Sequence, residues 1–79
     1  MQVRAKYVTE FTIKNGRIRG SRVIGGENAS EKQLVAIQYV KPLLTAFVRS
    51  RLTGDTQGII NVRVNYVETT HGLEIAFKA

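Results

Sequence analysis

Alternation of apolar and polar residues along the first fourteen positions constrains the fold of this chain more than any other feature. The odd-numbered positions from Val3 to Ile13 carry mainly apolar side chains, and the even-numbered positions carry mainly charged or polar ones. A period of two is typical of a β-strand that buries one face and leaves the other in water. Asn15-Gly16 follows, and both residues tolerate the positive φ angles of a type I′ turn. The sequence therefore predicts a β-hairpin whose second strand runs from Arg17 to about Ile24.

A two-residue loop also fixes the register of the two strands. Five facing pairs are predicted, counted from the turn: Lys14–Arg17, Ile13–Ile18, Thr12–Arg19, Phe11–Gly20 and Tyr7–Ile24. This register puts Arg22 on the apolar face, opposite Thr9. Either Arg22 lies at a frayed margin of the sheet, or a β-bulge near Gly20-Ser21 reverses the phase of the second strand.

A helix is predicted to follow the hairpin. Gly25-Gly26 ends the second strand, and two pairs of residues then show capping-box spacing, Asn28 with Glu31 and Ser30 with Gln33. In a capping box, the first side chain accepts from the backbone three residues later and the second side chain returns the bond. The helix is therefore expected to begin between residues 29 and 31.

The helix is predicted to run to about Thr53, with Gly54 as the residue that follows its C-terminus. Pro42 lies inside this span. A proline within a helix removes one backbone hydrogen bond and clashes with the preceding turn, so a kink is expected near residues 38–41. Two shorter helices are the alternative.

Two further strands complete the chain. Apolar residues alternate with polar ones through Ile60 to Tyr66 and again through Leu73 to Phe77, with the turn TTHG between them. The predicted fold is α+β in ββαββ order: an antiparallel sheet of two hairpins packed on one Pro-kinked helix, as a single domain of residues 1–79. The strand phases and the helix face predict this core: Tyr7, Phe11, Ile13, Ile18, Val40, Leu44, Phe47, Val62, Val64, Tyr66, Ile75 and Phe77.

The apolar surface of the helix is too broad for one sheet to cover. At 100° per residue it extends over roughly 220° of the circumference, whereas a helix with one buried face shows an apolar stripe of about 100° or slightly more. Large contiguous apolar patches are uncommon on the surfaces of monomers. We therefore expect a homodimer held through Val35, Tyr39, Leu43 and Ala46. The alternative is that loops and the kink cover the helix within one chain.

The amino-acid composition excludes several kinds of functional site. The chain has no Cys and one His, which excludes disulfides, thiolate catalysis and cysteine-based zinc sites. His71 is predicted to lie in a turn, with no second His to join it. Gly25-Gly26 is predicted to be a flexible connection because neither GxGxxG nor GxxxxGK[ST] is present. No enzymatic activity, metal or cofactor is expected.

Positive charge is the main indication of a partner. Lys and Arg total 12 against six Asp and Glu, a net charge of +6. Such an excess favours acidic partners, among them nucleic acid and acidic protein surfaces. The predicted strand phases gather five basic residues on one face of the first hairpin, with Glu10 as the one acid: Arg4, Lys6, Lys14, Arg17 and Arg19.

Two interpretations of this basic face are open. Lys14 opposite Arg17 costs stability, which favours an anionic partner, yet exposed lysines also protect a sheet edge from aggregation. The aromatic residues all lie in apolar phases, so bases would find no stacking platform and contact would be to phosphates. The face is therefore predicted to bind a DNA or RNA backbone with little sequence specificity.

The sequence says less about where in the cell the protein acts than about its fold. The first residues lack an apolar signal segment and the apolar runs are too short to cross a bilayer, so we expect a cytoplasmic protein without membrane contact. The stretch from Gly58 to Phe77 resembles, in its hydrophobic pattern, the small inhibitor and modulator proteins that phages and bacteria encode. Nothing about function is taken from this resemblance. The alternative function rests on the broad helix face, through which the chain would act as a protein-interaction or assembly module, such as a phage or prophage accessory protein.

Overall fold

Two antiparallel hairpins join along their first strands to form one sheet, and a single helix covers one side of it. The computed structural model describes residues 2–25 and 29–79. The strands are β1 (Val3–Lys14), β2 (Arg17–Ile24), β3 (Gly58–Thr69) and β4 (Gly72–Lys78), and the helix α1 spans Glu31–Arg49. The order across the sheet is β2-β1-β3-β4, with every neighbouring pair antiparallel. The predicted ββαββ order and α+β class are confirmed.

The first turn has the predicted type I′ character, since Asn15 has a φ of 54° and Gly16 a φ of 74°. The second position admits only glycine for a further reason. A Cβ atom on Gly16 would lie 2.3 Å from the carbonyl oxygen of Thr53, in the loop that follows α1. The backbone N–H of Gly16 also donates to the carbonyl oxygen of Thr56 at 3.0 Å. The tip of the hairpin is therefore tied directly to that loop.

A β-bulge changes the register beyond the turn. The pairs Lys14–Arg17 and Ile13–Ile18 form as predicted, but the register then shifts so that Thr12 faces Gly20. The predicted pairs Thr12–Arg19, Phe11–Gly20 and Tyr7–Ile24 are wrong, because Arg19 is an extra residue without a partner on β1. The bulge anticipated from Arg22 is present, next to Gly20. It turns Arg22 to the solvent face opposite Glu10, and it turns Val23 inward opposite Thr9.

Helix α1 begins as predicted and ends earlier. Ser30 is the N-cap, and its side chain forms a reciprocal capping box with Gln33. The predicted cap at Asn28 and the break at Gly26 lie outside the described residues. The helix ends at Arg49 with Ser50 as C-cap, so the predicted end near Thr53 is wrong and Gly54 does not terminate it.

Local hydrogen bonds account for the early end of the helix. The N–H groups of Arg51 and Leu52 bond to carbonyl oxygens three residues back, which tightens the last turn. The Ser50 hydroxyl donates to the Phe47 carbonyl at 2.7 Å. Pro42 lies within one continuous helix, so the two-helix alternative is wrong. The kink at residues 38–41 stays a prediction.

The core lies between α1 and the sheet, with the helix closest to β1. Eight of the predicted core residues are buried, and Ile18, Phe47, Ile75 and Phe77 are half-buried against them. The structure adds small residues that sequence pattern did not single out, among them Ala5 and Ala36. The buried set is Ala5, Tyr7, Phe11, Ile13, Ala36, Val40, Leu44, Val48, Val62, Val64 and Tyr66.

Two buried hydroxyls interrupt this apolar layer. Neither Tyr7 Oη nor Thr9 Oγ1 has a hydrogen-bond partner among the described residues. Burial raises the pKa of Tyr7 to about 12. Tyr66 is satisfied, because its hydroxyl donates to Glu68 Oε2 at 2.8 Å. That hydrogen bond and burial both raise the pKa of Tyr66.

Candidate nucleic-acid interface

The side of the sheet opposite α1 carries no covering element among the described residues. We call it the outer face, and it consists of the even-numbered residues of β1 together with the residues paired to them. Side chains directly opposite each other on neighbouring strands share a face, so the register assigns its members. They are Arg4, Lys6, Val8, Glu10, Thr12 and Lys14 on β1, Arg17, Gly20, Arg22 and Ile24 on β2, Ile59, Asn61, Arg63, Asn65 and Val67 on β3, and Glu74, Ala76 and Lys78 on β4.

Four of the five residues predicted to bind nucleic acid lie on the outer face and are exposed: Arg4, Lys6, Lys14 and Arg17. Arg19 is also exposed, but it occupies the bulge and pairs with no residue of β1. The four do not form one compact cluster. Arg4 and Lys14 lie at opposite ends of β1, and ten residues of antiparallel strand span about 34 Å. The basic residues therefore form an interrupted row along the sheet, with Val8, Glu10 and Thr12 between Lys6 and Lys14.

Two basic residues of the C-terminal hairpin join this row, and sequence analysis missed both. Arg63 lies next to Val8 on β1 and directly opposite Lys78 on β4. Together with Lys6 and Asn65 they line an open depression on the outer face. The alternation of apolar and polar residues in β3 shows that Arg63 lies on the polar face of its own strand. No local residue pattern indicates that β3 pairs with β1, so its position beside the basic residues of β1 was not predicted.

Acidic residues offset little of this charge. Glu10 accepts a hydrogen bond from Arg22 Nε at 3.1 Å, which is the one ion pair that the structure places among the described residues. The bulge creates this pair by turning Arg22 outward. Glu10 is not the one acid on the face, as the first hairpin alone suggested, because Glu74 on β4 also points outward. Exposed ion pairs of this kind contribute little to stability.

Aromatic side chains are absent from the outer face as the described residues define it. Those on the strands point toward α1, and the Phe47 and Phe77 rings meet there with centroids 5.3 Å apart. Bases therefore find no stacking surface beside the basic row. The chemistry that the row offers is electrostatic contact and hydrogen bonding to anionic oxygens.

The residues predicted for the dimer interface lie on one flank of α1. Val35, Tyr39 and Leu43 recur every four residues and are 65%, 55% and 46% exposed, and Ala46 is exposed beside them. Phe47 lies next to Leu43 on the helix circumference and contacts Phe77 of β4, so this flank faces the β4 side of the sheet. Nothing among the described residues covers it.

The described residues contain neither a metal site nor a membrane-spanning helix. Within residues 2–25 and 29–79, no three His, Asp or Glu side chains are grouped so that they could hold a metal ion. The helix that these residues form is not apolar enough over sufficient length to span a bilayer.

Comparisons with protein-family models, curated proteins and solved structures find no match to this chain.

Proposed function

We propose that the protein is a non-enzymatic binding module that holds the phosphate backbone of DNA or RNA on its outer face. The observation that supports this is the row of exposed basic side chains along β1, extended by Arg63, on a sheet face that the helix leaves open. Arg4, Lys6, Lys14 and Arg17 have no acidic partner among the described residues. Glu10 is the one acid on β1 within this row, and the row holds like charges opposite each other at Lys14–Arg17, an arrangement that costs stability when no anion is bound.

The geometry suits a backbone better than bases. Successive phosphates of one strand in a duplex rise about 3.4 Å along the axis, so a row of about 34 Å corresponds to roughly ten nucleotides. Affinity would come from release of counterions by Lys and Arg, which depends on salt and not on sequence. Since no aromatic side chain accompanies the row, discrimination between bases is expected to be small.

Binding to short labelled duplex DNA, single-stranded DNA and RNA tests the proposal. Fluorescence anisotropy at several salt concentrations gives the slope of log K against log salt. Lys14→Gln with Arg17→Gln should reduce that slope by about 2 and weaken binding by a similar factor for every sequence. Lys6→Gln with Arg63→Gln should do the same if the central depression takes part.

The matched control removes the same charge from the other layer. Lys41→Gln with Arg49→Gln changes two exposed basic residues of α1, which lies on the opposite side of the sheet. This variant should retain most of the affinity and the slope. An equal loss in this control would show that net charge alone drives association. Absence of binding at about 50 mM salt, where non-specific affinity is favoured, would exclude the proposal.

A second candidate function rests on the helix. The exposed flank of Val35, Tyr39 and Leu43 favours a protein-interaction or assembly module, with an acidic protein surface as a further possible partner for the basic row. We also propose that the chain self-associates as a homodimer, which would reduce this apolar exposure. High salt separates the candidates, because apolar association persists when phosphate binding is lost.

A further inference from the structure

The two edges of the sheet differ in how they are protected. β2 forms one edge, and its bulge, its Gly20 and its three arginines all hinder pairing with another strand. β4 forms the other edge over Gly72–Lys78, with no proline and a regular register throughout its pairing with β3. Alternate residues of an edge strand direct their N–H and C=O groups away from the sheet. β4 therefore presents a regular pairing edge that has no bulge and whose charged residues are Glu74 and Lys78.

Apolar residues extend to this edge on the side of the helix. Leu73, Ile75 and Phe77 of β4 point toward the α1 side, where Leu73 is 44% exposed and the other two are half-buried. The flank of α1 above them carries Tyr39 and Leu43, also exposed. The helix thus covers the apolar side chains of β1 but leaves those of β4 partly exposed to solvent.

Charges along β4 match a second copy of the same strand. In an antiparallel pair with Ala76 facing its symmetry mate, Glu74 faces Lys78 of the second copy, and the reverse pair forms as well. Ile75 then faces Phe77 on the helix side. Lys78 already lies opposite Arg63 within its own sheet, and Glu74 from a second copy would offset this like-charge pair. Ala76 at the centre offers no steric obstacle.

We propose that β4 pairs with β4 of a second copy across a two-fold axis at Ala76, forming one continuous eight-stranded sheet. This inference gives the proposed self-association a geometry and does not depend on nucleic-acid binding. The outer faces of both copies become one surface. The two Arg63 residues lie three strand spacings apart across the sheet and four residues apart along it, a separation of about 20 Å. The two helices lie on the same side of the combined sheet. Their apolar flanks then border one apolar surface, which Leu73, Ile75 and Phe77 of both copies form.

Charge reversal tests the register. Sedimentation equilibrium should show a species of twice the 8.8 kDa chain mass at about 100 μM. Glu74→Lys and Lys78→Glu should each raise the dimer dissociation constant about ten-fold, since each places like charges opposite each other twice. The double variant, with the charges exchanged, should return to within about three-fold of the unmodified protein. Circular dichroism verifies that each variant is folded.

Cysteine crosslinking tests the axis directly, because the natural chain contains no Cys. Ala76→Cys should form an intermolecular disulfide under mild oxidation, since facing Cα atoms in an antiparallel pair lie within disulfide range. Ser21→Cys on the β2 edge is the exposed control and should crosslink far less. Equal crosslinking of the two variants, a monomer at 100 μM, or a dimer that is weakened by Leu43→Ser but not by Glu74→Lys would overturn the proposal. Lys78 belongs to the basic row, so the separation from nucleic-acid binding rests on Ala76→Cys and Ser21→Cys, which change no charge.

Discussion

Gly16 is where the hairpin tip meets the loop after α1, and Gly16→Ala should destabilise the fold strongly. The φ of 74° places the residue in the left-handed region, which costs an L-residue about 1 kcal/mol or slightly more. In addition, the new Cβ would lie 2.3 Å from the Thr53 carbonyl oxygen, so the loop must move. That movement loses the Gly16–Thr56 hydrogen bond, worth about 1 kcal/mol net. The expected loss is about 2–3 kcal/mol.

Gly25→Ala is the matched comparison for this variant. Gly25 has a similar φ of 89°, but a Cβ there would have no atom of the described residues within 4 Å. It should therefore lose the conformational contribution alone, about 1 kcal/mol. Urea unfolding followed by circular dichroism gives both free energies. If the two variants proved equally stable, the contact between the tip and the loop would contribute nothing, and the reasoning would be refuted.

Two further predictions concern the core. Phe11→Ala should cost about 3–5 kcal/mol, because Phe11 is 2% exposed, and half-buried Phe47→Ala should cost less; equal losses in urea unfolding would contradict the assigned burial. Tyr7→Phe should be neutral or stabilise by up to about 1 kcal/mol, since it removes a buried hydroxyl without a partner. Because the pKa of Tyr7 rises to about 12 in the folded state, its ionisation in the unfolded chain should reduce stability by up to about 1.4 kcal/mol per pH unit between pH 10 and 12. Tyr7→Phe should lose less stability than the unmodified protein over that interval, and parallel curves would refute the assignment.

Local patterns in the sequence were sufficient for the elements and for most of the core. Strict alternation and the Asn15-Gly16 turn predict the first hairpin, and the Ser30–Gln33 spacing predicts the start of α1, because each signal depends on residues close together in the chain. The misfit of Arg22 indicated the bulge, although not its position at Arg19. The helix end was predicted wrongly because Gly54 is a favourable terminator, whereas hydrogen bonds at Ser50 end the helix first.

The sequence predicted only those members of the candidate site that a local pattern identifies. The strand phase alone identifies Arg4, Lys6, Lys14 and Arg17 as members of one face. The contribution of Arg63 depends on which strands become neighbours. That choice is made by packing between distant segments, and no local residue pattern encodes it.

The central pairing of β1 with β3 also has a consequence for how the chain folds. It joins Val3 to Glu68 and Ile13 to Gly58, so the middle of the sheet consists of contacts between residues far apart in sequence. Each hairpin can close within microseconds, but their docking must first overcome the entropy of closing a long loop. During synthesis both strands of the N-terminal hairpin are made before β3. Until residues 58–69 are made, the edge of β1 that faces away from β2 stays unpaired, and the sheet is completed only by residues 58–78.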